Sequence, residues 1–153
     1  MRKLLAGLLL VLGICCCASA CQAQETNLEI TKVMRKLSND DNVTVVTLKG
    51  NKVAQYNLSY FMSATMEHPD TRQIDRIENA IRHDDQFIVS REERTSGPHI
   101  AYGFYCLTPT EKSKNRYVFY TNNALLGKSG YKVTLIYLEG KASLAELKKH
   151  FKK

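Results

Sequence analysis

The sequence predicts a single α+β domain with helices packed on one face of a mostly antiparallel sheet. The chain has 153 residues, a length that suits one hydrophobic core better than two. Hydrophobic residues make up 44% and charged residues 24%, which is a globular composition rather than a disordered one. The hydrophobic patterns follow the order helix, strand, strand, helix, four strands, helix, and this order favours helices laid on an antiparallel sheet.

Residues 1–20 have the three parts of an export signal. Arg2 and Lys3 are basic, Leu4–Ile14 is apolar, and Ala18–Ala20 supplies the small residues that signal peptidase requires. The apolar run is shorter than a membrane-spanning helix. The sequence therefore predicts an exported protein that is either periplasmic or lipid-anchored at the cell envelope.

Cys21 directly follows the predicted cleavage site, and two interpretations of it remain open. A bacterial lipobox also ends in small residues before the cysteine that receives the lipid, although Ala18 stands where leucine is usual. Ordinary cleavage at the same bond is the alternative. A lipid anchor would hold the domain at a membrane, since each buried CH2 contributes about 0.8 kcal/mol. Residues 21–26 are then a tether, and residues 27–153 form the domain.

Cysteine usage excludes a disulfide scaffold. Cys15, Cys16 and Cys17 leave with the signal, so the mature chain keeps only Cys21 and Cys106. No Cys-x-x-Cys pair remains, which argues against thioredoxin-like chemistry and against a cysteine-rich zinc site.

The domain is predicted to begin with a helix that leads into a strand. Thr26 and Glu29 form a predicted capping box, and an apolar stripe extends the helix to Leu37. A polar turn follows. Residues 43–48 are then rich in valine and threonine, which is typical of a strand with at least one buried face.

The next segment has a less regular pattern. One or two helical turns are expected in residues 50–56, with Asn57 in the left-handed conformation that ends a helix. Residues 58–66 fit both a helical stripe and a strand. The strand is favoured, because apolar and polar residues alternate everywhere except at Phe61.

The second half begins with a helix and continues as a strand meander. Asp70 caps the helix, Gln73 completes the capping box, and isoleucines at helical spacing extend it to Arg82. Four predicted strands follow, separated by turn-forming residues: Gln86–Arg91, Ile100–Leu107, Arg116–Thr121 and Tyr131–Leu138. Ser143 and Glu146 form another capping box, which predicts a terminal helix.

No catalytic or metal-binding motif is recognisable. His68 and His83 lie near carboxylates at predicted helix ends, but without the spacing that places two ligands on one helix face. Cys106 lies inside a predicted strand, where a small buried side chain is expected rather than a reactive thiol. The loop at residues 127–130 lacks the first glycine of a phosphate-binding loop. The sequence therefore predicts no metal and no cofactor, and it favours a non-catalytic protein.

Aromatic residues concentrate in the last three predicted strands. By strand alternation, the aromatic residues within each strand share faces in pairs. Cross-strand aromatic pairs can simply stabilise a sheet, by about 0.2–1 kcal/mol each. Exposed on one face, they could instead bind a ligand or a partner. The candidate binding residues are Tyr102, Phe104, Tyr117, Phe119, Tyr131, Tyr137 and Lys132.

The C-terminal third of the chain is strongly basic. The whole chain has a formal charge of +7, and lysines and arginines greatly outnumber acidic residues in residues 112–153. Such a segment could dock on anionic lipid or glycan, or it could be a solvated lysine-rich surface. Export argues against nucleic acid as the partner.

The layout resembles small exported Bacteroidetes families that are domains of unknown function. The similarity lies in the helix of Leu28–Leu37 with the Asn42–Val46 strand after it, in the amphipathic helix of Asp70–Arg82, and in the strand end at Leu135–Gly140. The resemblance implies an envelope or periplasmic protein. It carries no catalytic residue over to this chain.

Taken alone, the sequence predicts a non-catalytic envelope binding or accessory protein that uses an aromatic sheet face. The expected partner is an envelope protein or ligand, with membrane anchoring through Cys21. Two alternatives remain open. One is a small envelope hydrolase whose site no motif reveals, and the other is electrostatic docking to anionic lipid or glycan through the basic third.

Overall fold

The computed structural model describes residues 28–151. The predicted signal peptide, Cys21, the tether and the capping residue Thr26 lie outside this range. Within it, the chain forms a six-stranded sheet with helices on both faces. The predicted α+β class and the final strand-then-helix order are confirmed.

The described elements follow one another in nearly the predicted order. The strands are β1 (Val43–Lys49), β2 (Leu58–Glu67), β3 (Ile88–Ser96), β4 (His99–Leu107), β5 (Asn115–Asn122) and β6 (Lys132–Gly140). The helices are α1 (Glu29–Leu37), α2 (Asn51–Ala54), α3 (Thr71–His83) and α4 (Leu144–Phe151), with a short 3-10 turn at Asp84–Phe87. The ambiguous segment after Asn57 is a strand, as the alternation favoured.

The strand order across the sheet is β1-β2-β6-β5-β4-β3. Every neighbouring pair is antiparallel. The meander β3-β4-β5-β6 therefore joins the β1-β2 hairpin through β6, and β1 and β3 are the two edges.

One sheet face, here called the helix face, is covered by α1 and α3. Apolar side chains of both helices pack on alternate residues of β2, β4, β5 and β6, and this forms the larger core. Burying such side chains contributes about 1.5–3 kcal/mol each. The fully buried members include Met34, Ile77, Tyr105, Tyr120 and Tyr137.

The terminal helix corrects one expectation, because α4 does not lie on the helix face. Leu147 of α4 and Val53 of α2 pack instead on Phe104, Tyr117 and Leu138, on the opposite side of the sheet. That opposite side is here called the open face. The helix face is already filled by α1 and α3, so the remaining apolar surface for a C-terminal helix is at this end of the open face.

The start of α1 corrects a second expectation. The helix begins at Glu29, and its N-cap residue makes no side-chain capping bond. The buried carboxylate of Asp84 accepts the backbone N–H groups of Glu29 and Ile30, each at 2.9 Å. A residue distant in sequence thus satisfies two donors that a local cap was predicted to satisfy.

The other predicted caps are confirmed. Asp70 and Gln73 form the reciprocal capping box of α3. Ser143 and Glu146 bond to each other at the start of α4, and the backbone bond from Ser143 lowers the pKa of Glu146. Asn57 ends the α2 region with a positive φ of 57°.

Strand β3 runs further than the sequence predicted. It reaches Ser96 instead of ending at Arg91, so Glu92 and Glu93 lie inside the strand rather than beside it. All but the first residue of β3 are exposed. An edge strand with little buried surface has no apolar alternation, and the pattern-based prediction therefore ended too early.

Candidate functional site

Four of the predicted aromatic residues come together on the open face. The ring centroids of Tyr102 and Phe119 are 5.6 Å apart, and those of Phe104 and Tyr117 are 5.9 Å apart. Phe104 also lies 6.5 Å from Phe119 and links the two pairs. The antiparallel register of β4 and β5 produces this cluster, because Phe104 is directly opposite Phe119.

Only one end of this cluster is covered. Phe104 and Tyr117 are buried beneath α4, and the Tyr117 hydroxyl donates to the Ala142 carbonyl at 3.0 Å. Tyr102 and Phe119 remain partly exposed, as does Ile136, which is directly opposite Phe119 on β6. Tyr102, Phe119 and Ile136 are therefore three accessible apolar residues beside the part of the open face that α4 covers.

A row of threonines lies beside these apolar residues. The register places side chains from β1, β2, β6 and β5 next to one another across the open face. We call these residues the threonine row: Thr44, Thr65, Thr134 and Thr121. Tyr102 is opposite Thr121, and Arg94 is opposite Tyr102, so polar groups continue to the β3 edge. Side chains two residues apart in a strand are about 7 Å apart, which separates this row from Phe119 and Ile136.

A cleft of about 320 Å³ opens at the Tyr102 end of the row. The β3 edge forms one wall, and the β5–β6 loop forms the other. Its lining residues are Glu92, Glu93, Arg94, Tyr102, Leu126 and Lys128. Burial, together with the nearby Glu92 carboxylate, raises the pKa of Tyr102, so its hydroxyl remains a hydrogen-bond donor to higher pH than that of a free tyrosine.

In the cleft the two carboxylates have side-chain partners, whereas two of the basic groups have no ion pair within the described part of the chain. Lys148 of α4 approaches Glu92 at 3.3 Å, and the Tyr105 hydroxyl donates to Glu93 at 2.6 Å. Arg94 and Lys128 form no ion pair within residues 28–151. The cleft therefore offers an uncommitted guanidinium and an uncommitted ammonium beside a tyrosine ring.

Three predicted site residues lie away from the aromatic cluster. Tyr137 is fully buried on the helix face, and its hydroxyl donates to Glu139 at 3.2 Å. Tyr131 precedes β6, with its ring 6.2 Å from that of His68. Lys132 forms an ion pair with Glu67 at 2.7 Å, at the end of the open face. Tyr137 is an even number of residues from the buried Val133 and Leu135 in the same strand, so its side chain lies on their face of the sheet. This alternation could have placed Tyr137 in the core.

The basic third does not form a single free basic surface. Of its lysines, Lys114, Lys132 and Lys148 form ion pairs with carboxylates of β6, β2 and β3. These pairs reduce the charge available for docking on anionic lipid or glycan. The structure therefore gives this alternative no specific support.

Other chemical candidates do not assemble into a site. Cys106 is a free, partly exposed thiol on the open face. In the described part of the chain, no three side chains of histidine, cysteine, aspartate or glutamate converge as a metal site. Among residues 28–151, no helix is both long and apolar enough to cross a bilayer.

The fold and the open face define an α+β domain with a six-stranded antiparallel sheet, one face of which is only partly covered. The chain belongs to the family of unknown function DUF6108, whose model matches residues 16–151. The search of curated proteins and the search of solved structures each found no match.

Proposed function

We propose that this protein is an exported, non-catalytic binding module that holds an oligosaccharide on its open face. The observation that carries the proposal is the placement of an accessible apolar strip beside the threonine row. Tyr102, Phe119 and Ile136 form the strip. The threonine row lies beside Phe119 and Ile136 and continues through Tyr102 to Arg94 at the β3 edge.

A chain of sugar rings matches this pairing of surfaces. The C–H face of a sugar ring is apolar and packs on aromatic and aliphatic side chains, while the ring carries hydroxyls around its edge. Threonine hydroxyls can donate and accept hydrogen bonds, and a guanidinium donates several. The pairing of apolar side chains with hydroxyl and guanidinium groups therefore suits a sugar ring, which has an apolar face and a hydroxyl edge.

The state of the carboxylates favours binding over hydrolysis. Glycoside hydrolysis needs two carboxyl groups that face each other across the substrate. Glu92 and Glu93 are neighbours in β3, so their side chains point to opposite sides of the sheet. Glu92 pairs with Lys148 and Glu93 accepts from Tyr105, so both are already engaged.

Replacing Tyr102 by alanine should weaken oligosaccharide binding at least about tenfold, which is about 1.4 kcal/mol. The reason is the loss of an exposed ring and a hydroxyl at the junction of strip and cleft. Isothermal titration with a panel of neutral and uronic-acid oligosaccharides measures this change. The matched control is Tyr131→Ala, since Tyr131 is exposed but lies outside the cluster.

The titration has outcomes that would contradict the proposal. Equal weakening by Tyr131→Ala would move the binding site away from the open face. Binding of extended peptides, without binding of any oligosaccharide, would replace the sugar by a polypeptide ligand. Thermal unfolding of both variants shows that the fold is intact, which is expected because both side chains are partly exposed.

Export and lipid anchoring at Cys21 are part of the same proposal. They are supported by the basic, apolar and small-residue segments before Cys21 and by the resemblance to exported Bacteroidetes families. The native mature protein should have the mass of residues 21–153 plus a lipid. Intact mass spectrometry measures this, and Cys21→Ser is the control that should lose the lipid. An unmodified chain that begins at Cys21 would be consistent with export and would contradict the lipid anchor.

A further inference from the structure

The two edges of the sheet differ in how they are protected against pairing. Strand β3 carries four consecutive charged residues, Arg91–Arg94, along its exposed length. Strand β1 has the sequence VTVVTLK, with no charge before Lys49 and no proline. Its register with β2 has no bulge. Natural proteins use charges, prolines and bulges to prevent edge pairing, and β1 has none of these within Val43–Leu48.

The backbone of β1 offers unpaired groups on its outer side. Glu67 N–H donates to the Asn42 carbonyl, and Gly50 N–H donates to the Ser59 carbonyl, so even-numbered residues of β1 bond to β2. The backbone groups of Val45, Thr47 and the other odd-numbered residues therefore point outward. Among these, only the N–H of Val43 has a partner within the described residues, the Asp40 carbonyl at 3.0 Å.

We propose that β1 pairs antiparallel with β1 of a second copy of this chain, about a two-fold axis at Val46. In this register Val45 of each copy faces Thr47 of the other, and each such pair exchanges both N–H···O bonds. Lys49 N–H reaches the Val43 carbonyl of the second copy. The N–H of Val43 needs no acceptor there, because it already donates to the Asp40 carbonyl.

The side chains favour a second copy of the same strand as the occupant. Val46 is 41% exposed on the open face, and on the axis it packs against its own counterpart. Thr44 then faces Leu48 on the same side of the sheet. These contacts cover apolar surface that the monomer leaves in water.

The charges at the two ends of β1 favour the same arrangement. Asp40 and Asp41 precede the strand, while Lys49 and Lys52 lie at its C-terminal end. Antiparallel pairing brings the acidic end of one copy beside the basic end of the other. A parallel arrangement would bring like charges together. The two-fold keeps both open faces on one side, so the dimer would present two adjacent copies of that face.

Analytical ultracentrifugation of the full-length chain in mild detergent, over about a hundred-fold concentration range, tests the dimer. The wild type should dimerise, and Val46→Lys should weaken the dimer at least tenfold because it places like charges on the axis. The control is Val89→Lys, which adds the same charge at an exposed valine of the opposite edge strand. This variant should dimerise like the wild type.

Val46→Cys provides a second test that does not depend on losing an interaction. In the proposed register the two copies of Val46 face each other as a non-hydrogen-bonded pair. The Cα atoms of such a pair are about 4.5 Å apart, which is within the range of a disulfide. Under oxidising conditions this variant should form a disulfide between the two copies of residue 46, identified by peptide mass spectrometry, and Val89→Cys should form no such cross-link through residue 89. A monomeric wild type, or equal effects of Val46→Lys and Val89→Lys, would overturn the proposal. These outcomes are independent of oligosaccharide binding by the open face.

Discussion

Replacing Glu78 by alanine should lower the free energy of unfolding by about 3 kcal/mol. Glu78 is a buried carboxylate on α3, only 3% exposed. It accepts the buried N–H of Ile100 at 2.9 Å and the hydroxyl of Tyr120 at 3.4 Å. His99 lies 3.3 Å from its second oxygen. Alanine would leave donors from β4 and β5 without an acceptor inside the core, and it would also create a cavity.

Two further variants distinguish the loss of the Glu78 carboxylate from the general effect of a substitution in α3. Glu78→Gln keeps an oxygen that can accept from Ile100, so its loss should be smaller. Asn79→Ala alters the exposed neighbour on the same helix and should change stability by less than about 0.5 kcal/mol. Urea unfolding of the three variants gives these values. If Glu78→Ala were as stable as Asn79→Ala, water rather than Glu78 would satisfy the buried donors.

Elements with a strong local signal were predictable from the sequence. The capping box of Asp70 and Gln73, and the isoleucines after it, placed α3 to within about one residue at each end. Strand β1 was recognised from its valines and threonines. Strand β3 was cut short because it buries almost nothing, and an edge strand without a buried face shows no alternation.

Long-range contacts were not predictable in the same way. Asp84 caps α1 from more than fifty residues away, and nothing near Glu29 in the sequence indicates it. The face on which α4 packs also depends on which surface α1 and α3 leave free. Gly103 is a further case: a Cβ there would clash with the Tyr105 ring and hydroxyl, a contact that is visible only after folding.

The candidate site was predictable only where it depends on alternation within a single strand. Alternation within β4 and β5 placed Tyr102, Phe104, Tyr117 and Phe119 on shared faces, and the register then joined the two pairs. The threonine row needed the register of four strands together, because its members come from β1, β2, β5 and β6. The cleft walls at Leu126 and Lys128 come from a loop, for which periodicity gives no orientation.

Alkaline pH should unfold this protein through its buried tyrosines. Burial raises the pKa of Tyr105, Tyr120 and Tyr137 far above 10, and in each case a nearby glutamate raises it further. A raised pKa means that the folded state holds the phenol proton more tightly than the unfolded chain does. The stabilisation is therefore complete below the unfolded value of about 10 and is lost as pH rises above it.

The free energy of unfolding should fall steeply with pH, because the three phenol hydroxyls lose their protons over the same pH range in the unfolded chain. Each contributes up to about 1.4 kcal/mol per pH unit above about pH 10. Urea unfolding between about pH 8 and 11 measures the slope. Lysines also lose their protons near this range, so the comparison that isolates the buried phenols is between variants. Tyr105→Phe should make the slope shallower than Tyr56→Phe does, since Tyr56→Phe removes a hydroxyl from a side chain that is 44% exposed. Equal slopes in the two variants would mean that the Tyr105 hydroxyl ionises in the folded protein as easily as it does in water.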